Sequence, residues 1–246
     1  MRHAVAMLET HYAGCYWLTR LEPVDACARR LESFLGMMAP LEPTWSRWYQ
    51  SAATFEKARK RQVQPDAMTL AKLLGKKSNR IGDGSRFWLW AGESPDETSG
   101  VNGCCGGSSP YLTSTCILNP LGTSEVAKRV VTAPVMTGVV RAMALAWEPE
   151  VALATSNEHR QLITAGRFPE PGTFVGWVTY LADFRGPVPP LPSSVQVEHL
   201  PDRGTLITLT QEKFSASNPA HVALAADVQA RLQAAGLLTP LRPWGT

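Results

Sequence analysis

Two adjacent cysteines are the residues of this sequence that most directly suggest chemistry. Cys104 and Cys105 lie among four glycines in the segment 99–109, SGVNGCCGGSS. A thiolate can act as a nucleophile once a base activates it. However, no paired base is evident, and the phosphate-binding patterns GxxxxGK[ST] and GxGxxG are missing. Two interpretations stay open: a cysteine-dependent hydrolase built on Cys104 or Cys105, and a strand whose glycines mark bulges or close backbone approach. We favour the strand.

Three further residues are of types that can serve in catalysis or metal binding. Glu158 and His159 are adjacent near the end of a predicted strand, but a catalytic pair would need a third partner and a nucleophile. We therefore interpret His159 as a surface histidine in a loop. His221 lacks a His, Cys, Asp or Glu at the spacing of a helical metal motif, so we expect it to pack or cap locally. The sequence predicts no catalytic residue, cofactor or metal.

A basic stretch raises the alternative of nucleic-acid binding. Residues 56–61, EKARKR, carry four basic groups between Lys57 and Arg61, and Lys76 and Lys77 follow. Such groups can bind phosphates, with an affinity that falls steeply with salt. No set of stacking aromatics accompanies them in the sequence, so a solvated helical face is the favoured interpretation.

Composition and charge exclude several classes of protein. The 246 residues carry a net charge of +3, which is too balanced to predict a nucleic-acid binder and too far from acidic for a DNA mimic. The five cysteines contain no CxxC pair, so neither a zinc site nor a disulfide framework is predicted. Glu9 and His11 interrupt any signal-peptide core, and no apolar run approaches the roughly 20 residues of a membrane span. We therefore expect a reduced cytoplasmic protein.

The elements that must position these residues follow from apolar periodicity and turn signals. Strands are predicted at 12–18, 86–91, 113–118 and 151–155, and a hairpin joins 195–200 to 205–210 around 201–204. Helices are predicted from Pro23, near Asp66, from Thr132 and from Asn218. The run 86–91, RFWLWA, is apolar on both faces, so we expect it in the middle of the sheet. The apolar segment 172–185 favours extended structure. The expectation is an α+β fold, a mainly antiparallel sheet with helices packed against it, in one domain over 1–246.

Two clusters could meet a partner. Trp45, Trp48 and Tyr49 follow helical spacing, which is typical of a helix edge packed on the core, although tryptophans are also enriched in binding hot spots. We favour the core. Glu93, Asp96 and Glu97 surround Pro95 and predict an exposed acidic turn.

Six segments, in order, resemble the immunity protein 52 family of bacterial polymorphic toxin systems. They are HYAGCYW (11–17), CGGSSPYL (105–112), LAWEPEVALATS (145–156), PGTFVGWVTYL (171–181), GPVPPLP (186–192) and TLITLTQEKFSASNPAHVALA (205–225). The resemblance implies a cytoplasmic antidote that binds a cognate toxin, and the family is associated with nuclease toxins of the restriction-endonuclease fold. It transfers no catalytic residue.

The expected mechanism is steric occlusion of the toxin. The acidic turn (Glu93, Asp96, Glu97) is one hypothetical contact, although the net charge of +3 argues against an acidic face that imitates DNA. Trp45 and Trp48 are a second, weaker hypothesis. The cysteine-dependent hydrolase remains the alternative.

Overall fold

One antiparallel sheet organises the chain. The computed structural model describes residues 9–18, 20–109, 112–120, 124–164 and 170–241, and these residues form eleven strands and seven α-helices. The strands are β1 His11–Trp17, β2 Trp48–Gln50, β3 Gln62–Val63, β4 Arg80–Ile81, β5 Gly84–Gly92, β6 Thr98–Cys105, β7 Ser114–Pro120, β8 Val151–Ser156, β9 Val178–Ala182, β10 Gln196–Leu200 and β11 Gly204–Thr208. The helices are α1 Val24–Met38, α2 Phe55–Arg59, α3 Ala67–Leu74, α4 Glu125–Val130, α5 Ala133–Trp147, α6 Asn157–Thr164 and α7 Pro219–Ala234. Short 3₁₀ helices span Pro43–Ser46, Lys77–Asn79 and Asp183–Arg185.

The first strand lies at the centre of the sheet. The strand order is β10-β11-β9-β8-β1-β7-β6-β5-β2-β3, and β4 pairs with β5. Cys15 of β1 is opposite Cys116 of β7 on one side and Ala152 of β8 on the other. Every strand pair in the described segments is antiparallel. The predicted α+β class with a mainly antiparallel sheet is confirmed.

Local capping chemistry explains where several helices begin. The Asp66 carboxylate accepts a hydrogen bond from the Thr69 amide at 2.9 Å, and the Asn218 side chain accepts one from the Ala220 amide at 3.0 Å. Both satisfy backbone donors that a helix start leaves free. Helices α3, α5 and α7 start at the predicted positions.

The main core lies between the sheet and helices α1 and α5. Trp147 of α5 stacks on Trp17 of β1, with ring centroids 5.4 Å apart, and on Phe87 of β5 at 5.8 Å. Burying each large side chain contributes about 1.5–3 kcal/mol. We call the opposite side of β5, β6 and β7 the open face.

Strand β5 differs from its prediction. It lies between β6 and β2, third from one end of the sheet rather than in the middle, and one of its faces is only partly covered. Phe87 and Leu89 point into the core, whereas Trp88 is 64% exposed on the open face. The expectation of a strand in the middle of the sheet was wrong because side chains alternate along a strand. Trp88 and Trp90 fall on the face opposite the core, where Trp90 packs against Phe55 of α2 and Trp88 stays exposed.

The aromatic cluster near Trp45 is not a single helix. Trp45 lies in the 3₁₀ helix Pro43–Ser46, and Trp48 and Tyr49 lie in β2. Arg47 between them is extended, with φ −131° and ψ 121°. The i, i+3, i+4 spacing therefore arises from two elements joined by an extended residue.

Candidate functional site

The open face presents a row of side chains that crosses four strands. Trp88 of β5 is opposite Asn102 of β6, which is opposite Ile117 of β7, which is opposite Gly14 of β1. The Trp88 indole extends over Gly100, where a β-carbon would lie 4.0 Å from the indole nitrogen. Because Gly100 has no side chain, the indole lies against the sheet with most of its surface exposed.

A cleft of 460 Å³ opens on the same side of the sheet, next to β1. Its lining residues are Tyr12, Tyr16, Thr113, Thr115, Arg160, Glu170, Pro171 and Phe174. The Arg160 guanidinium lies 5.3 Å from the centre of the Tyr12 ring. Burial raises the pKa of Tyr12 and of Tyr16, so both phenols stay neutral and can donate hydrogen bonds. The cleft can therefore take an apolar side chain and hydrogen-bond its polar end.

The acidic turn connects β5 to β6 beside the open face. Glu93 and Asp96 are exposed and Glu97 is half-buried, so the prediction of an exposed turn holds for the first two. Glu93 forms an ion pair with Arg47 and lies 3.9 Å from Arg59. Its charge is thus partly compensated within the protein. Asp96 and Glu97 are in none of the ion pairs found among the described residues, and their contact with a toxin stays a prediction.

Trp45 and Trp48 lie in the core. Their exposed fractions are 0% and 1%. A partner docking on the folded protein does not reach either ring. Burial favours the packing interpretation, and a contact of Trp45 or Trp48 with a toxin stays a prediction.

The two cysteines lie on opposite sides of β6, because successive side chains of a strand alternate. Cys104 is half-buried, with its Sγ 3.4 Å from the Thr113 carbonyl oxygen and 3.9 Å from the Thr115 hydroxyl. Cys105 is buried, and its hydrogen bond with Cys27, together with burial, raises its pKa. Gly103 confirms the strand interpretation, since a β-carbon there would lie 2.1 Å from the Thr115 carbonyl oxygen.

The structure corrects the expectation for His159. It lies in α6, not in a loop, and its side chain is fully buried. Its Nδ1 is 3.1 Å from the Thr155 hydroxyl, and its ring packs on Phe214 at 4.7 Å. Glu158 instead accepts a hydrogen bond from the Thr10 amide at 3.1 Å. The side chains of Glu158 and His159 make separate contacts and do not form a catalytic pair. His159 is a core residue.

His221 makes the local contacts that were predicted. Its Nδ1 accepts a hydrogen bond from the Ser215 amide at 3.1 Å, and its Nε2 lies 3.3 Å from Glu212. The side chain thus fixes the turn that leads into α7. In the described ranges, the titratable side chains form no cluster suited to a metal ion.

The structure brings aromatic residues to the basic stretch, which the sequence did not indicate. Trp90 stacks on Tyr49 at 4.8 Å and packs against Phe55 of α2 at 5.1 Å. The favoured interpretation of a solvated face agrees with the exposure of Lys57, Lys60 and Arg61, although the sequence did not show that aromatic residues lie near them. The alternation of Arg86, Trp88 and Trp90 along β5 was the signal that could have placed them on one face.

Comparisons with known proteins place this fold in a family. Residues 9–241 match the model of a family described as immunity protein 52. The match spans nearly the whole sequence, so the chain belongs to the immunity protein 52 family. Among curated proteins, none matches the chain.

A solved structure shares the fold. It is described as the Pseudomonas aeruginosa T6SS protein PA0821, and it is 14% identical over 93% of this chain and 76% of its own, with a TM-score of 0.58. At this identity the likeness concerns the fold.

Family membership implies an immunity protein with a cognate toxin as its partner. None of the helices in the described segments has the length and apolarity to cross a membrane.

Proposed function

We propose that this immunity protein binds its cognate toxin, a nuclease, in the cytoplasm and silences it by steric occlusion rather than by enzymatic chemistry. The nuclease class is what the family resemblance implies. The Pseudomonas aeruginosa protein that shares the fold is described as a T6SS protein, which is consistent with a role in competition between bacteria.

The observation that carries the proposal is the open sheet face. An immunity protein needs a rigid scaffold and an exposed patch, and Trp88 is 64% exposed on a strand held between β6 and β2. Tryptophan is among the residues most enriched in binding hot spots. The cleft between Tyr12 and Phe174 offers a pocket for an inserted side chain on the same side of the sheet. Together they provide an anchor and a pocket, as protein interfaces commonly do.

The direct test is co-expression with the cognate toxin domain. The wild-type chain is expected to restore growth, to protect cellular nucleic acid from degradation and to co-purify with the toxin. Trp88→Ala should weaken binding by about 30-fold, since a hot-spot tryptophan contributes about 2 kcal/mol or more. Met68→Ala is the matched control, because Met68 is 68% exposed on α3, away from the open face. Equal affinity of both variants would remove the open face from the interface.

The acidic turn is proposed as a further contact. Asp96→Lys/Glu97→Lys reverses two charges that no ion pair among the described residues holds, and the triple variant adds Glu93→Lys. The control is Asp25→Lys/Glu32→Lys on α1, which lies on the helix side of the sheet. Toxin affinity equal to wild type in both turn variants would refute the contact.

Thiol reactivity distinguishes the alternative function, a cysteine-dependent hydrolase, from a toxin-binding protein. A catalytic thiolate is alkylated rapidly near neutral pH, whereas Cys104 bonds to a carbonyl and a hydroxyl, neither of which is a base. We expect Cys104→Ser to protect cells as well as the wild type. Rescue by the wild type without a complex, lost in Cys104→Ser, would support the hydrolase instead.

A further inference from the structure

The open face has a strongly basic margin. Residues 47–86 contain ten Lys or Arg and three Asp or Glu, whereas the whole chain has a net charge of only +3. We define the basic margin by six of these cations: Lys57, Lys60, Arg61, Lys76, Lys77 and Arg86. All six are exposed.

Contacts connect Arg86, Lys57 and Lys60 to the aromatic part of the open face, and Lys76 to the edge of the sheet beside it. Arg86 donates to the Ser78 carbonyl at 3.2 Å, which connects β5 to the 3₁₀ helix Lys77–Asn79. Lys76 donates to the Gln50 side chain at 2.9 Å, and the Trp90 indole donates to the Gln50 carbonyl at 3.3 Å. Phe55, at the start of α2, packs on Trp90. Lys57 of α2 and Lys60 at its C-terminal end therefore lie close to this part of the sheet. Trp88 lies on the same face of β5 as Arg86, because side chains alternate along a strand.

The charge of the margin is not compensated internally. Among the described residues, Glu93 forms ion pairs close to the basic margin. Its partners are Arg47 and Arg59, which are not margin cations. None of the six margin cations is in an ion pair there. Uncompensated surface charge of one sign raises the association rate with a partner of the opposite sign.

We infer that the basic margin and Trp88 dock an acidic surface of the cognate toxin, one whose carboxylates surround an apolar socket for the indole. This inference rests on the proposed function and adds the chemistry of the partner. Carboxylates of this kind also hold the metal ions of many nucleases, so docking there would block such an active site directly.

A protein partner fits this surface better than a nucleic acid. Single strands are held by a series of free aromatic faces, but Trp90, Tyr49 and Phe55 already stack on one another. One exposed indole beside a group of cations fits an interface hot spot, in which tryptophan and basic residues are enriched.

The test reverses margin charges that no ion pair holds. The variant Lys57→Glu/Lys60→Glu/Lys77→Glu is compared with Arg29→Glu/Lys72→Glu/Lys213→Glu, which changes the net charge equally outside the margin. Binding to the cognate toxin domain is followed at about 50 mM and about 500 mM salt. We expect the margin variant to associate at least about tenfold more slowly at low salt, the control to stay within about twofold of wild type, and the difference to shrink at high salt.

Each outcome decides the question. A margin variant within about twofold of wild type, with the wild-type complex formed, overturns the inference and leaves the proposed function intact. Absence of a wild-type complex overturns both. Tight wild-type binding to a fluorescent single strand of about 20 nucleotides, lost in the margin variant while toxin binding is kept, would assign the surface to nucleic acid and also overturn the inference. Lys60→Glu alone, expected to slow association about threefold, keeps the test valid if the triple variant is poorly folded.

Discussion

Arg185 forms an ion pair with Glu150 inside the protein. The Arg185 guanidinium donates to the Glu150 carboxylate at 2.7 Å, and the two side chains are 0% and 2% exposed. The guanidinium also donates to the carbonyl oxygens of Leu237 at 2.7 Å and Thr239 at 3.0 Å. A single side chain thus fixes the start of β8 and the C-terminal segment after α7.

Removal of this arginine should destabilise the fold strongly. Arg185→Met removes the guanidinium that pairs with the buried Glu150 carboxylate, and we expect the free energy of unfolding to fall by about 3–5 kcal/mol. Chemical denaturation followed by tryptophan fluorescence measures it. Arg203→Met is the control, because its pair with Glu148 is 40% and 33% exposed and should contribute less than about 1 kcal/mol. A similar loss in the two variants would contradict the structural role of Arg185.

Trp45 is buried and Trp88 is exposed, so truncation should reduce the free energy of unfolding strongly for the first and hardly at all for the second. Trp45→Ala removes a ring that is 0% exposed, and we expect a loss of about 3–5 kcal/mol. Trp88→Ala removes a ring that is 64% exposed, and its effect on stability should stay within about 0.5 kcal/mol. Thermal unfolding of both variants makes the comparison. A large loss from Trp88→Ala would show that the open face is packed and not available to a partner.

Gly103 and Gly36 differ in the space that the structure leaves for a β-carbon. A β-carbon at Gly103 would lie 2.1 Å from the Thr115 carbonyl oxygen and 2.8 Å from the Phe87 ring, whereas one at Gly36 of α1 meets nothing within 4 Å. Gly103→Ala should force β6 away from β7 and cost about 1–3 kcal/mol. Gly36→Ala should stabilise the protein by about 0.5–1 kcal/mol, because alanine favours the helix more than glycine does. The midpoints of denaturation should therefore shift in opposite directions, and a shift of the same sign would refute this account of β6.

The sequence allowed local elements to be predicted where one residue controls the chain. Asp66 and Asn218 cap the helices that follow them, and the turn at 201–204 joins β10 to β11. Strand order could not be predicted, since β1 pairs with β7 and β8, more than 90 residues away, through contacts that no local pattern encodes.

The candidate site was missed for the same reason. Which face of β5 is covered depends on where α5 packs, so apolar content alone could not show that Trp88 is exposed. His159 illustrates the reverse case. The polar string SNEHR suggested a loop, but burial against Phe214 from a distant segment placed the imidazole in the core.

The burial of His159 should make stability depend on pH. Burial lowers the pKa of His159 from 6.5 to about 4, and burial lowers the pKa of His11 as well. The unfolded chain therefore binds a proton more readily than the folded protein between these values. The free energy of unfolding should be highest above about pH 6.5 and should fall by about 3 kcal/mol as the pH drops to about 4.

Urea denaturation at half-unit steps from about pH 7.5 to about pH 4.5 measures this slope. His159→Leu keeps the buried site filled with an apolar side chain that cannot be protonated, so its profile should be flatter than that of the wild type, whatever its absolute stability. His199→Leu, at an exposed position of β10, is the control and should follow the wild-type slope. Parallel profiles for wild type and His159→Leu would show that the imidazole does not carry the acid sensitivity. A flatter profile for His159→Leu alone would assign the acid sensitivity to His159, whose imidazole is buried against Phe214.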